Sequence, residues 1–175
     1  MKVDVTKRHA DPKVKEHAED FIQIMTPIVK SYLTDVGSEV ANLGMQVLGG
    51  YGYIREYGME QYVRDARIAQ IYEGANGIQA LDLVGRKMPM HNGRYLRSFF
   101  HPVVEFIEEN RNVEEMAEFT KPLYKAVDSL QKASMWIADK GLRDPNEAAA
   151  ASSEYLRMFG AVMFGYIWLK QPRLL

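Results

Sequence analysis

One carboxylate, Glu73, stands out in the stretch RIAQIYEGANGIQALDLVGRKM, because it lies between an apolar pair and a run of small residues. Ile71 and Tyr72 precede it, and Gly74 follows, where the missing side chain would let a substrate approach the backbone. Apolar surroundings would desolvate the carboxylate and raise its pKa towards neutrality, which suits a general base. The alternative is a carboxylate stabilised by the N-terminal dipole of the next helix. Residue type and spacing leave both interpretations open.

The glycine-rich stretch GGYGYIREYG at residues 49–58 is a second candidate. Glycine N–H groups can cradle a phosphate, but glycines also form ordinary loops, and the pattern alone favours the ordinary loop. Its four glycines and three tyrosines predict a loop rather than a regular element.

Other kinds of chemistry lack their motifs. His9, His17, His91 and His101 have no spacing typical of metal ligands, so no metal site is predicted. The absence of cysteine excludes disulfides and thiol catalysis. No nucleophile elbow, P-loop or dinucleotide-binding motif is present.

The charge balance excludes further function classes. The 22 basic and 23 acidic residues nearly cancel, which gives no electrostatic reason to expect nucleic acid or an anionic membrane as a partner. No apolar secretory segment opens the chain, and the uncharged apolar run at residues 158–169 is too short to span a bilayer. We expect no membrane span and a cytoplasmic location.

The elements that position Glu73 are predicted to be helices, since helical periodicity is common and strand signals are scarce. The first helix begins at Asp11 as N-cap and Pro12 as first residue. Pro27 should kink or split it, and it either ends at Gly37 or runs on. The pattern thus predicts an all-α protein.

Two shorter helices flank the turn YEGANG, at residues 59–70 and at about 77–88. The breaker MPMHNG at residues 88–93 follows and is the best internal boundary. Beyond it, periodicity predicts helices that begin at Arg94, Asn112 and Asp144. The second of these carries a capping-box pattern, with an acid three residues after its first residue.

Residues 45–88, MQVLGGYGYIREYGMEQYVRDARIAQIYEGANGIQALDLVGRKM, resemble the C-terminal signature of the acyl-CoA dehydrogenases. The resemblance is carried by a Gln-x-x-Gly-Gly loop, an Arg-Asp-Ala-Arg helix, then Ile-Tyr-Glu-Gly and Ile-Gln, in this order. It implies that residues 1–90 form the second half of the family's C-terminal four-helix bundle. Residues 91–175 resemble the extra helical domain of the family's longer branch. The family's N-terminal helical and middle β domains have no counterpart in this chain.

The resemblance also implies a reaction. Glu73 would remove the α-proton of an acyl-CoA thioester while the β-hydrogen leaves as hydride to N5 of FAD, giving a trans-2-enoyl-CoA. The Glu73 N–H would be one of two donors to the thioester oxygen, and Gly74 would line the substrate channel. An electron-transfer flavoprotein would accept the electrons.

Two segments are implied as FAD contacts. The first would meet the ADP half of FAD, commonly FAD bound by the neighbouring subunit, and comprises Gln46, Val47, Leu48, Gly49 and Gly50. The second comprises Ala75, Asn76 and Gly77. The family usually has Thr or Ser at position 75, so Ala75 removes a hydroxyl contact and puts cofactor affinity in question.

A second hypothesis is that the isolated chain is a helical packing and oligomerisation module. Half a bundle exposes apolar surface that seeks a partner, so a homo-oligomer is expected, and FAD is not expected to stay bound to the chain alone. A third is a family member without activity; Glu73 argues against it and Ala75 leaves it open. A flavin spectrum separates the first two hypotheses.

Overall fold

The protein is all-α in the computed structural model, which describes residues 4, 6 and 8–171 and has no strand within them. This confirms the predicted class. No helix in that part of the chain is long and apolar enough to cross a membrane. Residues 9–171 contain seven α-helices: α1 Pro12–Val47, α2 Gly50–Tyr53, α3 Met59–Ala69, α4 Asn76–Asp82, α5 Arg94–Asn110, α6 Ala117–Arg143 and α7 Pro145–Lys170.

Helix α1 is the scaffold for the other helices. Asp11 caps it, as predicted, by accepting a hydrogen bond of 2.8 Å from the Lys13 N–H. The helix continues without a break through Pro27 and Gly37, which decides between the alternatives that the sequence left open. Its 36 residues extend for about 54 Å, and helices α3, α4, α5 and α7 all contact it.

The hydrophobic core lies among α5, α6 and α7, with the first half of α1 and the segment after α4 lying against it. Phe159 is fully buried and its ring centroid lies 4.6 Å from that of Phe99. One polar pair is buried with them, where Ser134 of α6 and Tyr155 of α7 share a hydrogen bond of 2.7 Å. The aromatic contact joins α5 to α7, and the hydrogen bond joins α6 to α7.

Helix α4 continues into a π-helical turn, Leu83–Lys87, and the chain then turns at Met90–Gly93. His91, Asn92 and Gly93 all have positive φ, so the predicted breaker is confirmed as a break between helices. The core nevertheless continues across it, from Ile24 to Tyr166. Two domains, residues 1–90 and 91–175, stay a prediction.

Two local predictions are wrong. The stretch 49–58 is more ordered than a loop, because it forms the helical turn α2 and a 3₁₀ turn, Arg55–Tyr57. Helix α6 begins at Ala117, after the 3₁₀ turn Glu114–Met116, rather than at Asn112. Extended backbone at Val113 separates Asn112 from that helix, so it cannot cap it. The start of α7 at Asp144 is confirmed, with a cap bond of 2.9 Å.

Candidate functional site

Glu73 lies in a short loop, residues 70–75, that joins α3 to α4. The loop is closed at its base, because the Asn76 N–H donates to the Gln70 carbonyl at 3.1 Å. At its start, the Tyr72 N–H donates back to α3, to the Ile68 carbonyl, at 3.2 Å. Glu73 is therefore presented at the tip of a closed turn.

The backbone at the tip is unusual. Glu73 has a φ of 50° and Gly74 a φ of 85°, and a positive φ is uncommon for a residue that carries a side chain. The φ of Gly74 favours glycine, and a Cβ there would also meet the Gln79 side-chain amide, which would have to move aside. Within the described part of the chain, the Glu73 N–H makes no hydrogen bond, so this donor stays available to a ligand.

The loop is fastened to α1 through Asn76, the first residue of α4. Asn76 Nδ2 donates to Asp35 Oδ1 at 2.7 Å, and Asn76 Oδ1 accepts from Lys30 Nζ at 2.8 Å. Lys30 Nζ also donates to the Gly74 carbonyl at 2.8 Å. Asp35 Oδ1 accepts a further bond of 2.7 Å from Gln70 Nε2. One carboxylate oxygen thus binds a residue at each end of the loop.

These contacts fix the orientation of the Asn76 amide. Lys30 can only donate and a carboxylate can only accept, so the two partners demand opposite ends of the amide. Thr34 Oγ1 accepts from Asn76 Nδ2 at 2.9 Å, and the Ser31 carbonyl lies 3.2 Å from the same nitrogen. The hydrogen-bonding groups of the Asn76 side chain are therefore used by α1. The cofactor contact predicted at this position would have to be made by backbone atoms.

Glu73 itself is exposed, and so are its apolar neighbours. Ile71 and Tyr72 are each 52% exposed and Ile78 is 58% exposed, because the loop lies at the edge of the fold and these side chains face outward. The apolar enclosure of Glu73 that the sequence suggested is not formed by this chain alone. A surface beyond these residues would have to cover it.

The first predicted FAD segment, Gln46 to Gly50, lies at the exposed end of α1. Gly49 has a φ of 59°, and a Cβ added to Gly49 or Gly50 would meet nothing within 4 Å, so the backbone there is open to close approach. That openness fits contact with a phosphate-bearing group.

The structure does not bring this segment to the second one, Ala75 to Gly77. Gln46 lies eleven positions after Asp35 on α1, which is about 16 Å along the helix axis. Gly77 has an unobstructed backbone, and Ala75 offers no hydroxyl. Only the second segment adjoins Glu73.

The sequence analysis missed Lys30, Thr34 and Asp35. A signal was present, because Lys30, Ser31, Thr34 and Asp35 place polar groups at i, i+1, i+4 and i+5 in an otherwise apolar part of α1. Polar residues at that spacing share one helix face, and on a buried side they need partners.

Comparison with known proteins places the chain. Residues 7–88 match the family described as "Acyl-CoA dehydrogenase, C-terminal domain", and residues 99–174 match "Acetyl-CoA dehydrogenase C-terminal like". The chain belongs to the acyl-CoA dehydrogenase family and corresponds to its C-terminal helical region.

Individual relatives agree with the family match. The 3-methylmercaptopropionyl-CoA dehydrogenase of Ruegeria pomeroyi is 34% identical over 166 residues, which cover 90% of this chain and 27% of the relative. A butyryl-CoA dehydrogenase of Syntrophomonas wolfei is 34% identical over 117 residues, 67% of this chain and 19% of the relative. The broad-specificity linear acyl-CoA dehydrogenase of Mycobacterium tuberculosis is 28% identical over 158 residues, 85% and 25% of the two chains. This chain therefore spans about a quarter of the length of such relatives.

Proposed function

We propose that this chain supplies the catalytic base, Glu73, to an acyl-CoA dehydrogenase that converts an acyl-CoA thioester to the trans-2-enoyl-CoA. The observation that carries the proposal is the loop tip, where a carboxylate and a hydrogen-bond donor without a partner in the described chain belong to one residue, in a family of acyl-CoA dehydrogenases.

The two groups of Glu73 suit the two demands of the reaction. The carboxylate would take the α-proton, and the electron pair of that C–H bond would form the new double bond. The Glu73 N–H would donate to the thioester oxygen, where negative charge develops as the proton leaves. Gly74, with no side chain, would let the thioester lie against the backbone.

Gln46 to Gly50 would contact the ADP half of FAD, commonly FAD bound by the neighbouring subunit, and the backbone of Ala75 to Gly77 would contact FAD beside Glu73. Bound oxidised FAD would supply the acceptor for the hydride that leaves the β-carbon. The exposure of Glu73 requires a covering surface from another segment or subunit, since a base works best in a site from which water is excluded. We therefore include a homo-oligomer, and an electron-transfer flavoprotein as electron acceptor, in the proposal.

The test is Glu73→Gln in the full-length dehydrogenase that carries this segment. The variant should keep its FAD and bind butyryl-CoA, yet lose flavin reduction by about 10²–10⁴-fold, the usual contribution of a general base. Reduction is followed by stopped-flow bleaching of the flavin absorbance. Glu105→Gln changes an exposed carboxylate on α5 in the same way and should keep the parental rate. Near-parental reduction in Glu73→Gln would refute the assignment.

A second candidate function, a packing and oligomerisation module, is favoured by the apolar surface around the site. Val40, Leu43 and Val47 of α1 and Tyr62 and Ile68 of α3 are all 55% exposed or more. An extended apolar surface of this kind seeks a partner. The purified 175-residue chain decides between the two by light scattering and visible absorbance. An oligomer without flavin supports the module, and a flavin that is retained and bleached by butyryl-CoA supports residual site assembly.

A further inference from the structure

The loop that carries Glu73 is fastened at both ends to one side chain of α1. Gln70, at the start of the loop, and Asn76, at its end, both donate to Asp35 Oδ1 at 2.7 Å. We propose that Asp35 is a positioning residue for Glu73 and acts through a loop clamp formed by Lys30, Asp35, Gln70 and Asn76. The inference rests on the proposed function, in which Glu73 is the base.

The clamp is strong for its size because charged groups lie at both ends of the Asn76 amide. The Asp35 carboxylate accepts from Nδ2, and the Lys30 ammonium donates to Oδ1. Hydrogen bonds to ionised partners are about twice as strong as neutral ones, and both charged side chains are half-buried. Lys30 adds a second bond, to the Gly74 carbonyl, directly after the base.

Glu73 has no comparable support of its own. Within the described residues its side chain makes no hydrogen bond or ion pair, and the side chains of Ile71 and Tyr72 before it are exposed. Its positive φ is a strained conformation that persists only when the surroundings enforce it. The position of the carboxylate therefore depends on the contacts that hold the loop, at its ends and at Gly74.

Asp35 is separable from the core of the protein. Its side chain makes hydrogen bonds only with Gln70 and Asn76 in the part of the chain that the structure describes, and it does not belong to the buried apolar cluster. Its removal should loosen the loop without opening the core. A displacement of a catalytic group by about 1 Å can cost about a hundredfold in rate.

The first measurement uses the 175-residue chain and does not depend on catalysis. Asp35→Ala should speed amide hydrogen exchange in a peptide covering residues 70–76 by about tenfold or more, with exchange in α7 unchanged. Glu39→Ala is the matched control, because Glu39 lies one turn further along α1, pairs with Arg157 at 3.1 Å and, within the described residues, makes no hydrogen bond with the loop. Unchanged exchange at residues 70–76 in Asp35→Ala would overturn the clamp.

The second measurement uses the full-length flavoenzyme with butyryl-CoA. Asp35→Ala should lower kcat about 10- to 100-fold while KM and FAD content stay within about twofold. Asp35→Asn should recover part of kcat, since the amide oxygen still accepts both bonds. Parental kcat in Asp35→Ala, or a joint change of kcat, KM and FAD content without rescue by Asp35→Asn, would overturn the inference.

The two proposals fail in different ways. If Glu73→Gln is inactive and Asp35→Ala is fully active, the base stands and the positioning role is wrong. If Glu73→Gln is active, the base is wrong, and no positioning role for Asp35 survives whatever the exchange result. Should Asp35→Ala fail to fold, Gln70→Ala removes one bond of the clamp from the loop side. The same exchange and kinetic measurements are then made on Gln70→Ala.

Discussion

The site region, from the second half of α1 to α4, and the C-terminal three-helix unit of α5, α6 and α7 are held together differently. Helix α7 buries nine residues, whereas α3 buries none. Fully buried Phe99 and Phe159 pack against each other in the C-terminal three-helix unit, while Tyr62 and Ile68 of α3 face outward. The C-terminal three-helix unit encloses most of the core, whereas the site region relies on polar contacts and offers apolar surface to something else.

The difference has a thermodynamic consequence. A buried large apolar side chain contributes about 1.5–3 kcal/mol, and a typical hydrogen bond contributes a net free energy of about 0.5–1.5 kcal/mol. Regions with few buried apolar contacts open locally at lower free energy than the core. From the exposure of its side chains we expect the Glu73 loop to open at lower free energy than the core, as elements that meet ligands commonly do.

The largest effect that tests this contrast is expected for Phe159→Ala. Phe159 is fully buried against Phe99, and a cavity of this size costs about 3–5 kcal/mol in the free energy of unfolding. Tyr62→Ala removes a comparable ring from the site region, where Tyr62 is 65% exposed, and should change stability by less than about 0.5 kcal/mol. Urea unfolding followed by circular dichroism measures both. Equal losses of unfolding free energy in the two variants would contradict the difference between the two regions.

The joint between the two regions is the second test. Gly160 of α7 lies against the Tyr32 ring of α1, and a Cβ at position 160 would lie 2.9 Å from Tyr32 Cβ and closer still to the ring. Gly160→Ala should destabilise the chain by about 1–3 kcal/mol, because overpacking outweighs the gain in helix propensity of about 0.5–1 kcal/mol.

Gly165→Ala is the matched control for that joint. Its new Cβ would lie 3.8 Å from Leu123 Cδ1, an ordinary contact, so the same substitution on the same helix should stabilise the chain by about 0.5–1 kcal/mol. Thermal unfolding shows whether each variant gains or loses stability. A stabilising Gly160→Ala would show that α1 and α7 are not in close contact at Tyr32.

A pH test probes the buried polar pair of the C-terminal three-helix unit. Burial raises the pKa of Tyr155 above its ordinary value, and the hydrogen bond with Ser134 offsets only part of this. Below about pH 10 the tyrosine is protonated in both states, so stability is unaffected. Above it the unfolded chain releases the proton and the folded chain does not, and stability should fall by about 1.4 kcal/mol per pH unit.

Tyr155→Phe should remove this alkaline slope. The variant loses the Ser134 bond at pH 8, at a cost of about 1 kcal/mol, but its stability should change less between about pH 10 and 11. Tyr62→Phe alters an exposed tyrosine and should keep the parental slope. Urea titrations at pH 8, 10 and 11 give the comparison, and identical slopes in all three proteins would contradict it.

Hydrophobic periodicity predicted the three helices of the C-terminal three-helix unit, because a single apolar stripe decides which face of a helix is buried. The same signal predicted α1 and its cap at Asp11, yet the continuity through Pro27 depended on tertiary packing that no local pattern encodes. The start of α6 was misplaced for a similar reason, since a capping pattern is local and the extended backbone at Val113 is not signalled by it.

The candidate site could be predicted only in part from the sequence. Glu73 and Gly74 were identified from residue type and resemblance, and both lie at the loop tip, but their roles stay predictions. The clamp was missed because Lys30 and Asp35 lie about 40 residues before Asn76, and such pairings come from topology. The exposure of Glu73 was missed because Ile71 and Tyr72 are apolar in sequence but face outward in the fold.

The smallest test concerns Ala75, the N-cap of α4 in the site region. Its φ of −52° and ψ of 153° suit a capping residue, but alanine makes no side-chain cap bond. Within the described residues the Gly77 N–H makes no backbone hydrogen bond outside α4, so a hydroxyl at position 75 could accept from it. Ala75→Thr should stabilise the chain by about 0.5–1 kcal/mol.

Ala75→Val separates capping from bulk, because valine has the shape of threonine without the hydroxyl. If the site region is limited by its missing cap, only the threonine variant gains stability, measured by urea unfolding. A threonine hydroxyl can accept from the Gly77 N–H and still donate its own proton outward, so the same variant should also raise FAD affinity in the full-length enzyme if Ala75 adjoins the cofactor. A gain in stability without a gain in FAD affinity would place the cofactor away from position 75. Equal gains in stability for Ala75→Thr and Ala75→Val would mean that the site region lacks apolar contact at position 75 and does not lack a cap.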